Sequence, residues 1–245
     1  MVNRLRRSKH ETDDKNRNLI IANQELDKFV YSASHDLRSP ISSLKGLIEI
    51  VKLEDDLNQI RYYLDLMYQG LDKQDEFIKE IIDYSRNKRK KVTIAPVSLN
   101  KIIDEVIAQH LYIKAMDQIA IKKELSVDEL CSDELRLKII LNNLVSNAIK
   151  YSDEKKEKRY ISIKTYVVGE FYKIEIEDNG IGINKEYLVK IFEMFFVTNN
   201  KKKGSGLGLY LVKEAVENLN GYITVDSEIN IGSTFIVTIP KQYET

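Results

Sequence analysis

The chain has 245 residues, 38 of them basic and 38 acidic, a formal net charge of zero and one cysteine, Cys131. That balance removes any bulk electrostatic drive toward nucleic acid or an anionic membrane, and a single cysteine rules out an internal disulfide framework. A reducing, cytoplasmic setting is expected, whether or not a parent protein is membrane-anchored: no apolar run is long enough to span a bilayer, and no signal-peptide pattern opens the chain.

Residues 1–16 are polar and charged and read as the end of an upstream signalling helix or as added residues. Residues 14–87 read almost wholly as helix. At about 100° per residue, Leu26, Phe29, Val30, Ala33 and Leu37 share one stripe, and His35 projects from the opposite side. The stripe begins at Leu19 and runs on through Ile41, Leu44, Ile48 and Val51, crossing Pro40 in phase. Proline removes one amide donor and leaves the Asp36 carbonyl without its helical partner, so one long helix with a bend near His35 is predicted.

Residues 53–58 form a polar break. Beyond it, Leu57, Ile60, Leu64, Met67, Leu71, Gln74, Ile78 and Ile81 alternate at spacings of three and four, a heptad seam with one polar position, Gln74. Two such helices carry more apolar surface than one partner covers. A homodimer in which two hairpins form a four-helix bundle would bury it. The basic run Arg86–Lys91, followed by Pro96, reads as a solvated linker. The expected organisation is therefore a helical domain over 17–87, a linker over 88–96 and a second domain over 97–241.

That second domain mixes its signals. Ile119–Leu125 alternates weakly like a strand, and Asp133–Tyr151 reads as a helix capped by Ser132 or Asp133. Tyr160–Val168 and Phe171–Glu177 read as paired strands, Leu207–Leu219 as a helix ended by Gly221, and Tyr222–Asp226 and Thr234–Ile239 as closing strands. Irregular alternation of strands and helices argues an α+β sandwich, a mixed sheet with helices on one face. Cys131, between Leu130 and Leu135, reads as a packing residue.

On the helix 133–151, Leu137, Ile140, Leu141, Leu144, Val145 and Ala148 form the core stripe, while Asn143, Asn147, Lys150 and Tyr151 share an adjacent face. Two amides, an ammonium and a ring each have a use at a nucleotide. An amide oxygen suits Mg²⁺, an ammonium neutralises phosphate, and a ring lies against base or ribose. Asp178-Asn179-Gly180-Ile181-Gly182-Ile183 follows a strand, and a buried aspartate there could accept from an exocyclic amine. Gly204-Ser205-Gly206-Leu207-Gly208-Leu209 runs into a helix whose first amides could face an anion. This is neither the GxxxxGK[ST] loop nor a dinucleotide fingerprint. Between the glycine clusters, Phe192-Glu193-Met194-Phe195-Phe196 and the Lys-rich stretch 197–203 read as an aromatic hinge and a lid.

Taken in order, these strings resemble the sensor histidine kinases of two-component signalling. Ser34-His-Asp-Leu-Arg-Ser-Pro40 resembles their H box, Asn143-Leu-Val-Ser-Asn147-Ala-Ile-Lys-Tyr151 the N box, Asp178–Gly182 the first glycine box, Phe192–Phe196 the F box and Gly204–Gly208 the second glycine box. The match runs from about residue 17 to the end. The resemblance implies a dimerisation and phosphotransfer hairpin followed by a Bergerat-type ATP-binding domain of the GHKL class. It implies that the γ-phosphoryl of ATP moves to His35 and then to an aspartate on a response-regulator receiver domain. Under it, Asp36 holds or takes the imidazole proton, Asn147 ligates Mg²⁺, and Asn143 and Lys150 act near the phosphates and the reacting histidine. Asp178 reads adenine in a pocket shaped by Gly180, Gly182 and Ile183. Tyr151, Phe192, Gly204, Ser205, Gly206, Leu207 and Gly208 line the rest of the nucleotide site.

Two departures stand out. Position 39 is Ser, where many relatives that dephosphorylate their regulator carry Thr or Asn; its hydroxyl could still orient a water. The lid has no arginine between Phe192 and Gly208, only Lys201, Lys202 and Lys203, and lysine lacks the bidentate phosphate contact of arginine. The alternatives are a non-catalytic scaffold or phosphatase for a response regulator, and a GHKL ATPase without phosphotransfer.

Overall fold

The computed structural model describes residues 2–110, 116, 118–198 and 204–242, of which 2–15, 18, 21, 22 and 25 by backbone alone. The chain divides into two compact units, residues 1–78 and 79–245.

The first unit is a helical hairpin. Helix α1 (Val2–Lys52) runs through Pro40 without interruption, and α2 (Leu57–Arg89) contributes its residues up to Ile78. The polar break between them works as a cap. Asp56 accepts from the Asn58 amide through its side chain at 2.9 Å and from the Ile60 amide through its carbonyl at 2.9 Å, so α2 starts at Leu57. Near Pro40, Ser42 Oγ and Ser43 Oγ donate back to the carbonyls of Arg38 and Ser39, both at 3.2 Å. Gln74, the polar seam position, donates from Nε2 to the Leu37 carbonyl at 3.1 Å, one residue past the carbonyl that proline strips of its donor.

The seam splits into two columns. Ile60, Met67 and Gln74 are partly covered, whereas Leu57, Leu64, Leu71 and Ile78 remain 68, 50, 54 and 43% exposed. On α1, Leu26, Val30, Ile41 and Ile48 are likewise exposed, although Ala33 is buried.

The second unit is a mixed sheet with helices on one face. After α2 come β1 (Ala95–Ser98), α3 (Leu99–His110), β2 (Ile119–Leu125), β3 (Glu129–Ser132), α4 (Glu134–Lys150), β4 (Arg159–Val168), β5 (Phe171–Asp178), α5 (Gly208–Asn218), β6 (Tyr222–Glu228) and β7 (Gly232–Pro240). The five-stranded sheet has the order β2-β4-β5-β7-β6, parallel between β2 and β4 and antiparallel elsewhere, while β1 and β3 pair as a separate antiparallel ribbon. Strand alternation separates the faces. Ile161, Ile163, Ile174, Ile176, Phe235 and Val237 are buried with the α4 stripe Leu137, Ile140, Leu141, Leu144 and Val145. Each such side chain contributes about 1.5–3 kcal/mol of hydrophobic free energy. The opposite face is polar: Tyr160 Oη donates to Glu177 at 2.7 Å, and Lys164 pairs with Glu175 at 3.3 Å.

Several local expectations change. Asp133 rather than Ser132 caps α4, its carboxylate accepting from the Arg136 amide at 3.0 Å. α5 ends not at Gly221 but with Asn220 in the left-handed region (φ 58°), its amide donating to Glu217 at 2.9 Å and the Gly221 amide to Val216 at 2.9 Å. β1, β3 and α3 are additions. The basic run 86–91 is not simply a solvated linker: Arg86–Arg89 form the last turn of α2, and Asn87 is buried. The cause is Arg136 on α4, 1% exposed, whose guanidinium donates to the carbonyls of Asn87 (3.1 Å), Lys90 and Lys91 (3.4 Å) while pairing with Asp133 at 3.0 Å.

Candidate active site

In the hairpin, His35 is 73% exposed at the side chain, and its Nδ1 lies 3.2 Å from Asp36 Oδ1. A carboxylate at Nδ1 selects the tautomer that carries its proton there and leaves the Nε2 lone pair free. Ser39 is exposed one turn further on, at i+4 from the histidine and so on the same helix side.

In the second unit, α4 and the two glycine segments converge. The Ile181 amide donates to the carbonyl of Tyr151, the C-cap of α4, at 3.0 Å, and a side chain at Gly180 would collide with that same carbonyl. Lys150 Nζ lies 5.4 Å from the centroid of the Tyr151 ring. A Cβ on Gly204 would come within 2.7 Å of Lys150 Nζ, and one on Gly208 within 2.8 Å of Asn143 Oδ1. Both glycines therefore keep open a space lined by an ammonium and an amide. Asn143 is buried and donates from Nδ2 to the Ile139 carbonyl at 2.8 Å, which points its oxygen away from the helix backbone toward that space. Asn147 is half-buried one turn on, its carbonyl taking the Tyr151 amide at 2.9 Å.

The second glycine segment is held from both ends. Gly206 adopts φ 74°, and its carbonyl accepts from the Phe195 amide at 3.0 Å; Leu207 is fully buried. Ser205 Oγ donates to Glu80 near the end of α2 and accepts from the Leu207 amide at 3.0 Å. Among the described residues no side chain caps the start of α5, whose first amides point where an anion could take them. Burial, with the nearby Glu80 charge, pushes the Tyr151 phenol up.

Asp178 ends β5 on the core-facing side, where the alternation Ile174, Ile176 would place another apolar residue. It is 9% exposed. Its Oδ1 accepts from the Gly180 amide at 2.8 Å, and the Ser233 amide also donates to it. Burial outweighs those bonds and the Lys156 charge, and the carboxyl is pushed up to about 6. A carboxylate in that setting is a strong acceptor for a donor that enters the pocket.

Ile183 and Phe192 are placed by other contacts. The Ile183 amide donates to Ser227 Oγ at 2.8 Å, and its side chain lines a small depression with Asn184, Lys185, Glu228 and Ile229; Phe192 packs against the core. The lid cations Lys201, Lys202 and Lys203 lie outside the described residues. Among the described residues, no group of three His, Cys, Asp or Glu side chains could hold a metal. An amide-based Mg²⁺ site completed by phosphate oxygens and water is compatible with that, because Mg²⁺ keeps several of its waters. Sequence reasoning misses Glu80, Lys156 and Ser233. Each acts through a partner 125, 75 or fewer positions away in the chain, which no local pattern signals.

Both halves of the chain match known protein families. Residues 25–90 match the His Kinase A (phospho-acceptor) domain, and residues 132–243 match the histidine kinase-, DNA gyrase B- and HSP90-like ATPase family. The chain is similar to the phytochrome-like protein Cph1 of Synechocystis, 27% identical over 98% of this chain and 32% of that protein. It is also similar to the sensor-like histidine kinase SenX3 of Mycolicibacterium smegmatis, 31% identical over 87% of this chain and 57% of that protein. With the Escherichia coli sensor histidine kinase RcsC it shares 27% identity over 89% of this chain but only 24% of that protein, so it spans a fraction of these relatives. Among solved structures, it resembles histidine kinase ThkA in complex with response regulator protein TrrA (TM-score 0.70, 26% identity, 96% of this chain and 66% of that one). It shares its fold with Acinetobacter baumannii histidine kinase AdeS (TM-score 0.66, 21% identity, 85% of this chain and 98% of that one). With a phospho-acceptor domain and an ATPase domain in tandem, the chain belongs to the sensor histidine kinases.

Proposed function

We propose that the chain transfers the γ-phosphoryl group of ATP to His35 and then to an aspartate of a response-regulator receiver domain. The observation that carries this reading is the exposed imidazole whose Nδ1 is engaged by Asp36, leaving Nε2 as the nucleophile. Nε2 forms the N–P bond as the bond from γ-phosphorus to the bridging oxygen breaks and ADP leaves. The Nδ1 proton is held or taken by Asp36, which stabilises the imidazolium as charge develops. Phosphoryl transfer needs chiefly positioning and charge compensation. Lys150 supplies the charge beside Gly204, Asn143 sits beside Gly208, and Asp178 accepts from the adenine amine. Asn147 would hold Mg²⁺, which neutralises phosphate charge when bound.

The exposed seam column Leu57, Leu64, Leu71 and Ile78 supports a homodimer through the hairpin. The Ser39 hydroxyl, on the His35 side of α1, would position a water for the reverse, phosphatase-type reaction. The receiver partner is carried over from histidine kinase ThkA, which was solved bound to response regulator protein TrrA. The deciding experiment is incubation with γ-labelled ATP and Mg²⁺, with His35→Gln alongside, then acid and alkali treatment. Label that needs His35, is lost in acid and survives alkali supports phosphohistidine. Intact nucleotide binding without label favours the scaffold, and rapid phosphate release without a phosphoenzyme favours the ATPase.

A further inference from the structure

Lys156 stands in the α4–β4 connection, residues 151–158, among Glu154, Lys155, Glu157 and Lys158, where composition suggests an idle solvated loop. The structure gives it a different role. Asp153 organises the loop, its side chain accepting from the Lys155 amide at 3.0 Å and its carbonyl from the Lys156 amide at 3.1 Å. From that base, Lys156 Nζ donates to three carbonyls: Asn179 at 2.8 Å, Ile231 at 3.0 Å and Gly180 at 3.4 Å. Two belong to the first glycine segment and one to the β6–β7 turn. A lysine ammonium has three donors, and here each has an acceptor.

The two backbones that Lys156 joins already press against each other. The Asn230 amide donates to the Ile181 carbonyl at 2.8 Å. Gly182, at φ 69°, leaves no room for a side chain against the Glu228 carbonyl, and Gly232 leaves none against the carbonyl of Asp178. The Asn179 side chain ties the same segment to β4, accepting from the Tyr160 amide at 2.9 Å and donating to the Lys158 carbonyl at 2.7 Å. The loop is thus a junction of three chain segments, and Lys156 is the cation at its centre. The groups that act on Asp178 there are the amides of Gly180 and Ser233 and the charge of Lys156 from the α4–β4 loop on its own side of the sheet, with Glu177 and the Tyr160 phenol felt only through their charge from the opposite face.

We propose that Lys156 is a positioning residue for adenine recognition: its ammonium staples the Asp178–Gly182 segment to the β6–β7 turn and so holds the Asp178 carboxyl in place at its buried site. It does not touch the nucleotide and acts through the carbonyls it gathers and through the charge it places beside Asp178. The inference rests on the nucleotide reading of this site and deepens it.

The test is ADP binding by the whole chain, measured by calorimetry from pH 5 to 8, for the wild type and for Lys156→Arg, Lys156→Gln and Lys156→Met. The methionine variant should lose about tenfold in affinity, the scale set by hydrogen bonds to a charged group, and glutamine should fall between it and the wild type. Arginine, which retains the charge and several donors, should restore most of the affinity. The acid limb, where binding weakens as Asp178 takes up a proton, should move to higher pH in the glutamine and methionine variants and not in arginine. Folded variants that bind like the wild type, or that weaken without any movement of the acid limb, overturn the inference while leaving the nucleotide reading intact. Should methionine not fold, glutamine and arginine carry the same comparison. A wild-type chain that binds no ADP overturns both.

Discussion

The two units solve the problem of apolar surface differently. In the second, Leu137, Ile140, Ile163, Ile174 and Val237 are fully buried, and the sheet's other face is covered with Tyr, Lys and Glu pairs. That unit closes its own core. In the hairpin, the inner seam column meets α1 while the column Leu57, Leu64, Leu71 and Ile78 stands in solvent. Two long helices make one interface with each other and have a second to spare. One unit is therefore complete alone and the other leaves an apolar column uncovered, which under the homodimer proposed above a second copy would cover, so substitutions should separate the two behaviours.

The largest separation is expected from His35→Gln. Labelling by γ-labelled ATP should vanish, while ADP affinity, which belongs to the other unit, should stay at its wild-type value in calorimetry. Next comes the pair Leu64→Asp with Leu71→Asp, which places two charges on the exposed column. Sedimentation should show a monomer, and nucleotide binding should be unaffected. In the self-contained unit, Leu137→Ala should cost about 2–5 kcal/mol in denaturant unfolding through lost burial and a residual cavity, without altering association state.

A subtler effect is expected from Asp178→Asn. Because the folded carboxyl is pushed up to about 6 from an ordinary value of 3.8, the folded state holds that proton more tightly than the unfolded chain. Its ionisation subtracts stability as pH rises between those values, and above about pH 6 the whole cost, up to about 3 kcal/mol, is present. The asparagine variant should melt at or above the wild-type temperature at pH 7.5, with the gap closing toward pH 4, while its ADP affinity falls at least about tenfold. A carboxylate kept at a stability cost and required for binding is what a site selected for function looks like. The smallest effect is assigned to Gln74→Met, which removes the bond to the Leu37 carbonyl: about 1 kcal/mol or less, read as a small drop in hairpin stability with dimerisation retained.

Much of this is legible in the sequence because it is periodic or local. The α4 stripe, the heptad seam, and the β4 and β5 alternation declare themselves within a few turns, and the nucleotide-binding strings stand at recognisable spacings. α3 carries its own signal, although it is absent from the expected elements: Leu99, Ile102, Ile103 and Val106 fall at i, i+3, i+4 and i+7 and are all buried. β1 and β3 are four residues each, too short to show a period. Asn220 and Gly221 offer two plausible helix stops. Asn220 takes the left-handed position, and Gly221 is instead needed where a side chain would meet the Thr238 carbonyl. Lys156 is invisible for a different reason. Among neighbouring lysines of the same composition, only the fold decides which one meets three carbonyls.

The Arg136 arrangement at the end of α2 bears on what a break there would cost. A guanidinium with 1% exposure holds one carbonyl in the last turn of α2, the two carbonyls of Lys90 and Lys91 just past it, and the carboxylate that caps its own helix. Pulling the helix end away would leave that cation buried with a single partner, at a cost of about 3–5 kcal/mol. Residues 87–91 are therefore a weld. The last turn of α2 is thereby built into the second unit, and its stability is tied to that of α4.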